Sequence, residues 1–225
     1  LIRKGNESLF FNHPFLNKVY VWDKKQNKLK NLFLIAKSIR QEKYDYVINM
    51  QRFFLTGLIT VLSNAKVKIG FDKNPLSIFF TKRVEHLINT SGGNYHEIER
   101  NDRLISLINN KEVLSPKLYP SSEDEQIIKQ LTENDFSQGY YIIAPSSVWF
   151  TKALPINKWV EICDAYKEHT IYIIGAKSDF EYCEKIKNKS INKKIRNLAG
   201  NISLLQTCVL MKNAIMNYTN DSAPL

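Results

Sequence analysis

The chain is 225 residues long, 44% apolar and 24% charged, with a net charge of +10 at neutral pH. That balance belongs to a folded protein and not to a disordered one. No run approaches the ~18 apolar residues of a membrane span, and Leu1-Ile2-Arg3-Lys4 leads into no apolar stretch of the secretory kind.

The length allows one large domain or two of ordinary size. Charge divides unevenly along it: residues 1–120 hold 20 Lys+Arg against 10 Asp+Glu, and residues 121–225 hold 12 against 12. Either the first half meets an anionic partner (nucleic acid, phosphorylated lipid or a membrane surface), or the excess is a solvated lysine-rich exterior. Cys163, Cys183 and Cys208 are odd in number and fall in helical patterns. They suit neither a disulfide framework nor a metal knuckle, and read as core residues in a reducing compartment. With no starting methionine and a stop after Pro224-Leu225, the chain reads as an internal fragment.

In chain order, residues 6–11 suggest a short helix turning at His13-Pro14. Residues 18–22 suggest a strand with alternating apolar positions Val19 and Val21. Leu29, Leu32, Phe33, Ala36 and Ile39 mark an amphipathic helix, followed by a buried strand over 46–50. A helix over 55–62 precedes a strand over 67–69 that Gly70 closes. Lys73-Asn74-Pro75 reads as a turn, Ser91-Gly92-Gly93-Asn94 as a loop, and 96–108 as a helix ending at Asn109-Asn110. Residues 115–120 make the best linker. Beyond it, Ser122 with Glu125 has capping-box spacing, as do Ser178 with Glu181 and Ser203 with Gln206. Strands are predicted over 140–144, 170–174 and 214–218. Alternating strands and helices imply parallel sheets covered on both faces, in two α/β lobes over 1–118 and 119–225.

Between the strand at 140–144 and a helix opening at Pro155 lies a ten-residue loop, longer than most such connections. It carries Ser146, Ser147, Trp149 and Lys152. Open α/β sheets bind ligands at the carboxyl ends of their strands. Hydroxyls and amides with one lysine suit a phosphate, since the donors reach its oxygens and the ammonium supplies a point charge.

Four stretches then carry a resemblance: Tyr44-Asp45-Tyr46-Val47-Ile48-Asn49-Met50-Gln51, His96-Glu97-Ile98-Glu99-Arg100-Asn101, the run from Ala144-Pro145-Ser146-Ser147 to Lys152-Ala153-Leu154-Pro155, and Asn220-Asp221-Ser222-Ala223-Pro224. In order and spacing the chain resembles the heptosyltransferases of bacterial lipopolysaccharide synthesis, glycosyltransferase family 9. The resemblance implies a GT-B architecture: two Rossmann-like lobes, both incomplete here, with the acceptor held by the first and the nucleotide sugar by the second. It implies inverting transfer of a heptose or similar sugar from an ADP-activated donor to an anionic glycolipid acceptor, the lipopolysaccharide core or lipid A. The setting would be cytoplasmic, peripheral on the inner membrane surface, with no cofactor, no metal and no nucleic-acid partner.

On single residues, Lys152 matches the family lysine at the donor diphosphate, and Asp221 the aspartate of an Asp-Ser/Thr-Gly motif. Ser146, Ser147 and Thr151 would line the phosphates, with Ser222 and Ala223 offering helix-end amides. Ala223 stands where glycine is usual. Glu181 would bind the ribose and Ile202 line the adenine pocket, while Arg52, Lys73 and Arg83, with Lys82, would meet the acceptor. The family's general base follows a strand that would precede Leu1, which implies that these 225 residues alone turn over no donor. Plainer readings stand beside each: a solvated lysine at 152, a helix cap at 221, a capping partner at 181, a core side chain at 202 and surface charge at 52, 73 and 83. Rivals from other classes are a GT-B transferase with another nucleotide sugar, a basic nucleic-acid-binding protein and an exported solute-binding protein. An NAD enzyme would need a Gly-x-Gly-x-x-Gly run that Gly175-Ala176-Lys177-Ser178 does not supply.

Overall fold

A computed structural model of the chain describes residues 1–88, 96–108, 115–133, 135 and 138–220. The chain divides into two compact units. The first holds Leu1–Glu7 with Leu16–Lys117, the second Ser8–Phe15 with Leu118–Leu225.

In the first unit, β1 (Ile2–Arg3) and β2 (Val21–Trp22) pair in parallel, and β3 (Tyr46–Asn49), β4 (Val67–Phe71) and β5 (Lys82–Val84) form a second parallel sheet in that order. Helix α1 (Lys28–Gln41) turns Leu32, Ala36 and Ile39 inward, onto Trp22 and onto Ile59 of α2 (Phe54–Leu62). Leu29 and Phe33, which the spacing also places on that stripe, are more than half exposed. The inward residues of the β2 segment are Tyr20 and Trp22, not Val19 and Val21. Strands have a period of two, so this one-residue shift reverses every side chain; the larger rings take the core. α3 (Glu97–Ile105) opens on His96, whose Nδ1 accepts the Ile98 N–H while Glu99 accepts the His96 N–H.

Gly70 does not close its strand. It pairs with Asn49 on one side and Arg83 on the other, and β4 runs on to Phe71. The Phe80 ring occupies the place of the missing side chain, where a Cβ would lie 2.5 Å from Cε2.

The second unit is a four-stranded sheet in the order β8-β7-β6-β9, every pair parallel. Its elements are α4 (Ser122–Thr132), β6 (Tyr140–Ala144), α5 (Ile156–Ala165), β7 (Thr170–Ile173), α6 (Phe180–Lys189), β8 (Ile195–Asn197), α7 (Leu204–Lys212) and β9 (Met216–Thr219). Alternation sorts the strands' residues between two cores. Ile143, Ile171 and Ile173 pack with Trp159 and Cys163 of α5 and Cys183 and Ile186 of α6. Tyr140, Ile142 and Tyr172 pack with Ile128 of α4 and Val209 and Leu210 of α7. Burial pushes the Cys163 and Cys183 thiols up to about 12, which leaves them as inert apolar filler.

The caps depart from their expected partners in two of three cases. Ser121, not Ser122, caps α4, and its partner is Asp124, whose carboxylate accepts both the Ser121 N–H and the hydroxyl. Ser178 caps nothing: Asp179 accepts the Ala176 N–H at 2.9 Å, and a short 3-10 turn leads into α6. Ser203 and Gln206 form their box on α7. The loop expected at 91–94 and the helix end at 109–110 lie outside the described residues.

Gly70→Ala is expected to lower stability by about 1–3 kcal/mol, the usual range for an overpacked core, read as a lower urea midpoint for the first unit. An unchanged midpoint would mean that Phe80 yields freely.

Candidate donor site

The chain runs β6, β7, β8 outward across the second sheet and then returns to place β9 on the other side of β6. Strand order therefore reverses between β6 and β9. In open parallel sheets the crevice outside the carboxyl ends at such a point is where ligands bind, because the two flanking connections leave in opposite directions. A cavity of about 460 Å³ opens there, lined by Thr151, Lys152 and Leu154 from the β6–α5 loop, Trp159 from α5, and Tyr218 and Asn220 from the end of β9.

One buried side chain holds the two walls together. Asn220, 6% exposed, donates its amide to the Pro145 carbonyl at 2.7 Å and accepts the Leu154 N–H at 3.1 Å. It grips the ten-residue loop at both ends, and so fixes where the intervening residues stand. Within the loop, Ser147 Oγ accepts the Trp149 N–H at 3.3 Å and donates to the Trp149 carbonyl at 3.2 Å. A 3-10 turn over Phe150–Lys152 follows, closed by the Lys152 N–H on the Trp149 carbonyl at 2.9 Å. Ser146 Oγ is buried without a hydrogen-bond partner among the described residues. Val148, Trp149 and Phe150 stand outward at the tip.

Two aromatic groups complete the cavity. Tyr218 shares a 2.5 Å hydrogen bond with the Tyr166 hydroxyl, which pushes its phenol up to about 12 and keeps it protonated at neutral pH. Trp159 is 2% exposed and its indole N–H finds no partner among the described residues. Ile156, Trp159, Val160 and Cys163 recur at helical core spacing, and Trp159 stands in that core.

Of the residues singled out in sequence, Thr151 and Lys152 line the cavity, while Ser146 and Ser147 stand earlier in the same loop. Asp221, Ser222 and Ala223 lie outside the described residues and directly follow Asn220. Glu181 is exposed in the first turn of α6, past the end of β7 and outside the cavity lining. Ile202 is half-buried against the Ile142 and Ile174 cluster after β8. Ser146, Ser147, Thr151, Lys152, Glu181 and Ile202 each come after the carboxyl end of a strand. In the first unit Arg52 and Lys73 are exposed after β3 and β4, and Arg83 is exposed within β5. No group of three His, Cys, Asp or Glu among the described residues could hold a metal ion, and no helix among them is long and apolar enough to cross a membrane.

The family model of glycosyltransferase family 9 (heptosyltransferase) matches residues 32–225. The chain belongs to glycosyltransferase family 9. Its relatives in the family include lipopolysaccharide heptosyltransferase 3 of Escherichia coli, 24% identical over 235 residues that cover 100% of this chain and 68% of that protein. Among solved structures, a family 9 glycosyl transferase from Veillonella parvula superposes with a TM-score of 0.85 at 17% identity, over 97% of this chain and 65% of that one. E. coli heptosyltransferase WaaC with ADP-2-deoxy-2-fluoro heptose gives a TM-score of 0.64 at 16% identity, over 86% of this chain and 61% of that one. The chain thus spans roughly two thirds of these family members, and shares with the solved ones the mixed α/β, GT-B-type fold.

Asn220→Ala is expected to orphan the Leu154 N–H and the Pro145 carbonyl at about 1–3 kcal/mol each. Hydrogen exchange at the Leu154 amide should accelerate to the rate of an unprotected loop. Retained protection would show that the loop does not depend on this amide.

Proposed function

We propose that the protein is an inverting glycosyltransferase that moves a heptose, or a similar sugar, from an ADP-activated donor to an anionic lipopolysaccharide core or lipid A-type acceptor. The observation that carries this reading is the placement of Lys152 and Asn220 on one cavity at the point where the strand order reverses. Support comes from family membership and from the WaaC structure, whose bound molecule is an ADP-heptose analogue.

Breaking the anomeric C–O bond builds negative charge on the departing diphosphate and positive character on the sugar ring. Lys152 would hold that diphosphate as a point charge, with the Ser222 and Ala223 amides as further donors. In a partly dry pocket such fixed donors cost no reorganisation when the bond breaks. A carboxylate must take the acceptor hydroxyl's proton as it attacks from the opposite face. None lines the cavity among the described residues, so these walls serve the leaving group and not the nucleophile. Glu181 and Ile202, each past the next strand ends, would extend the site towards the ribose and adenine. Arg52, Lys73 and Arg83 would meet the acceptor's negative groups, and work on such an acceptor would bring the protein to the inner face of the inner membrane. No organic cofactor is required by this chemistry.

The full-length protein should be protected against thermal unfolding by ADP in preference to UDP or GDP. Lys152→Ala should lower the transfer rate by ~10²–10³, the usual loss for one such donor, in a radiolabelled-sugar assay. Protection by UDP alone would replace heptose with another sugar, and an undiminished rate would remove Lys152 from the mechanism.

A further inference from the structure

The β6–α5 loop exposes three consecutive apolar residues at its tip. Val148 is 93% exposed, Trp149 67% and Phe150 93%. A run of that kind is a liability on a surface that has nothing to bind. The tip is also held in place. Asn220 fixes both ends of the loop. At the tip itself, the Ser147 hydroxyl accepts the Trp149 N–H and donates to the Trp149 carbonyl, which takes the Lys152 N–H as well. Both backbone polar groups of Trp149 are thus engaged. Its indole, with only two rotatable bonds, is presented to solvent at a small entropic cost.

Position decides what that ring can meet. Trp149 does not line the cavity; it comes one 3-10 turn before the lysine that does. Such a turn rises ~6 Å over three residues, comparable to the breadth of one sugar ring. The proposed diphosphate lies at Lys152, inside the cavity. The sugar bonded to it has to stay at the mouth, because an acceptor hydroxyl must reach the anomeric carbon from the face opposite the leaving group. The nucleoside is expected to run the other way, towards Glu181 and Ile202, which come after β7 and β8. Of the three tryptophans, Trp22 and Trp159 are buried, and Trp149 is the one whose ring is open to a ligand. A pyranose carries C–H groups that a flat π-surface covers well. The same surface attracts the positive character that builds on the sugar as its bond breaks.

We propose that Trp149 is the platform for the transferred sugar: its indole packs on the donor's pyranose ring at the cavity mouth and selects for that part of the molecule. Val148 and Phe150 shield the edges of the stack from water. The proposal rests on the transferase reading, and its test separates the two. The measurement is tryptophan fluorescence of the full-length protein, parent against Trp149→Phe, titrated with ADP and with ADP-2-deoxy-2-fluoro heptose. The difference between parent and variant reports Trp149. With the sugar nucleotide it should shift to the blue and lose access to acrylamide; with ADP it should not change. Trp149→Ala should weaken binding of the sugar nucleotide by ~fivefold to tenfold. It should leave ADP affinity and the melting temperature as they are, and Trp149→Phe should recover most of the loss. The same emission change with ADP alone would put the base on the ring in place of the sugar and overturn the proposal. So would an emission that neither ligand alters, equal losses of affinity for both ligands, or a lowered melting temperature in the alanine variant. A Trp149 already shielded from acrylamide without ligand would mean that another surface covers it, and would overturn the proposal too. Each of these, with ADP still protecting the fold, leaves the transferase reading standing; loss of ADP protection removes that reading and the platform with it.

Discussion

A single amide side chain holds both ends of the loop that borders the cavity of the second unit. A ten-residue loop between a strand and a helix has many conformations, and burying its backbone without partners would be costly. Asn220 resolves both problems, because one primary amide offers a donor and an acceptor on the same rigid plane. It takes the carbonyl at the loop's entry and the N–H at its exit. Asn74 performs the same service in the first unit, binding two carbonyls and one N–H across the segments after β3 and β4. In each unit a buried asparagine converts the carboxyl edge of a parallel sheet from a set of loose connections into a shaped surface.

Parallel pairing makes these edges the natural working surfaces. All the strands of a sheet end on the same side, so residues far apart in sequence gather there without any of them being near in the chain. Lys152 and Asn220 are separated by three strands and by helices on both faces, yet they share a cavity because β9 returns beside β6. The division of charge fits the same plan. The neutral half carries the cavity at the point where the strand order reverses, and the basic half carries an edge with exposed apolar side chains.

Much of the fold was legible in the sequence because the signal was local. The helices α1, α2 and α5 and the strands β3, β6 and β7 announce themselves through periodicity and Val/Ile content, and α7 through the Ser203–Gln206 spacing. β5 and β8 did not, for a physical reason. Each is three residues long, and Lys82-Arg83-Val84 and Ile195-Arg196-Asn197 each show solvent a charged side chain, so an outer strand of this kind looks like a loop. Gly70 misled because glycine usually ends a strand, whereas here it admits the Phe80 ring. The cap at α4 slipped by one residue between two adjacent serines, with Asp124 as the partner of Ser121. For the site, residue types in the 146–152 loop pointed to phosphate chemistry from sequence alone. The clamp did not, since its hydrogen bonds join residues 66 and 75 positions apart.

The most direct measurement is a crystal structure of the protein bound to ADP. The account predicts both phosphates in the cavity between the β6–α5 loop and the end of β9, with Lys152 Nζ within hydrogen-bond distance of a diphosphate oxygen and Asn220 still bridging Pro145 and Leu154. A diphosphate ordered against some other part of the second unit, with Lys152 making no contact to it, would contradict it.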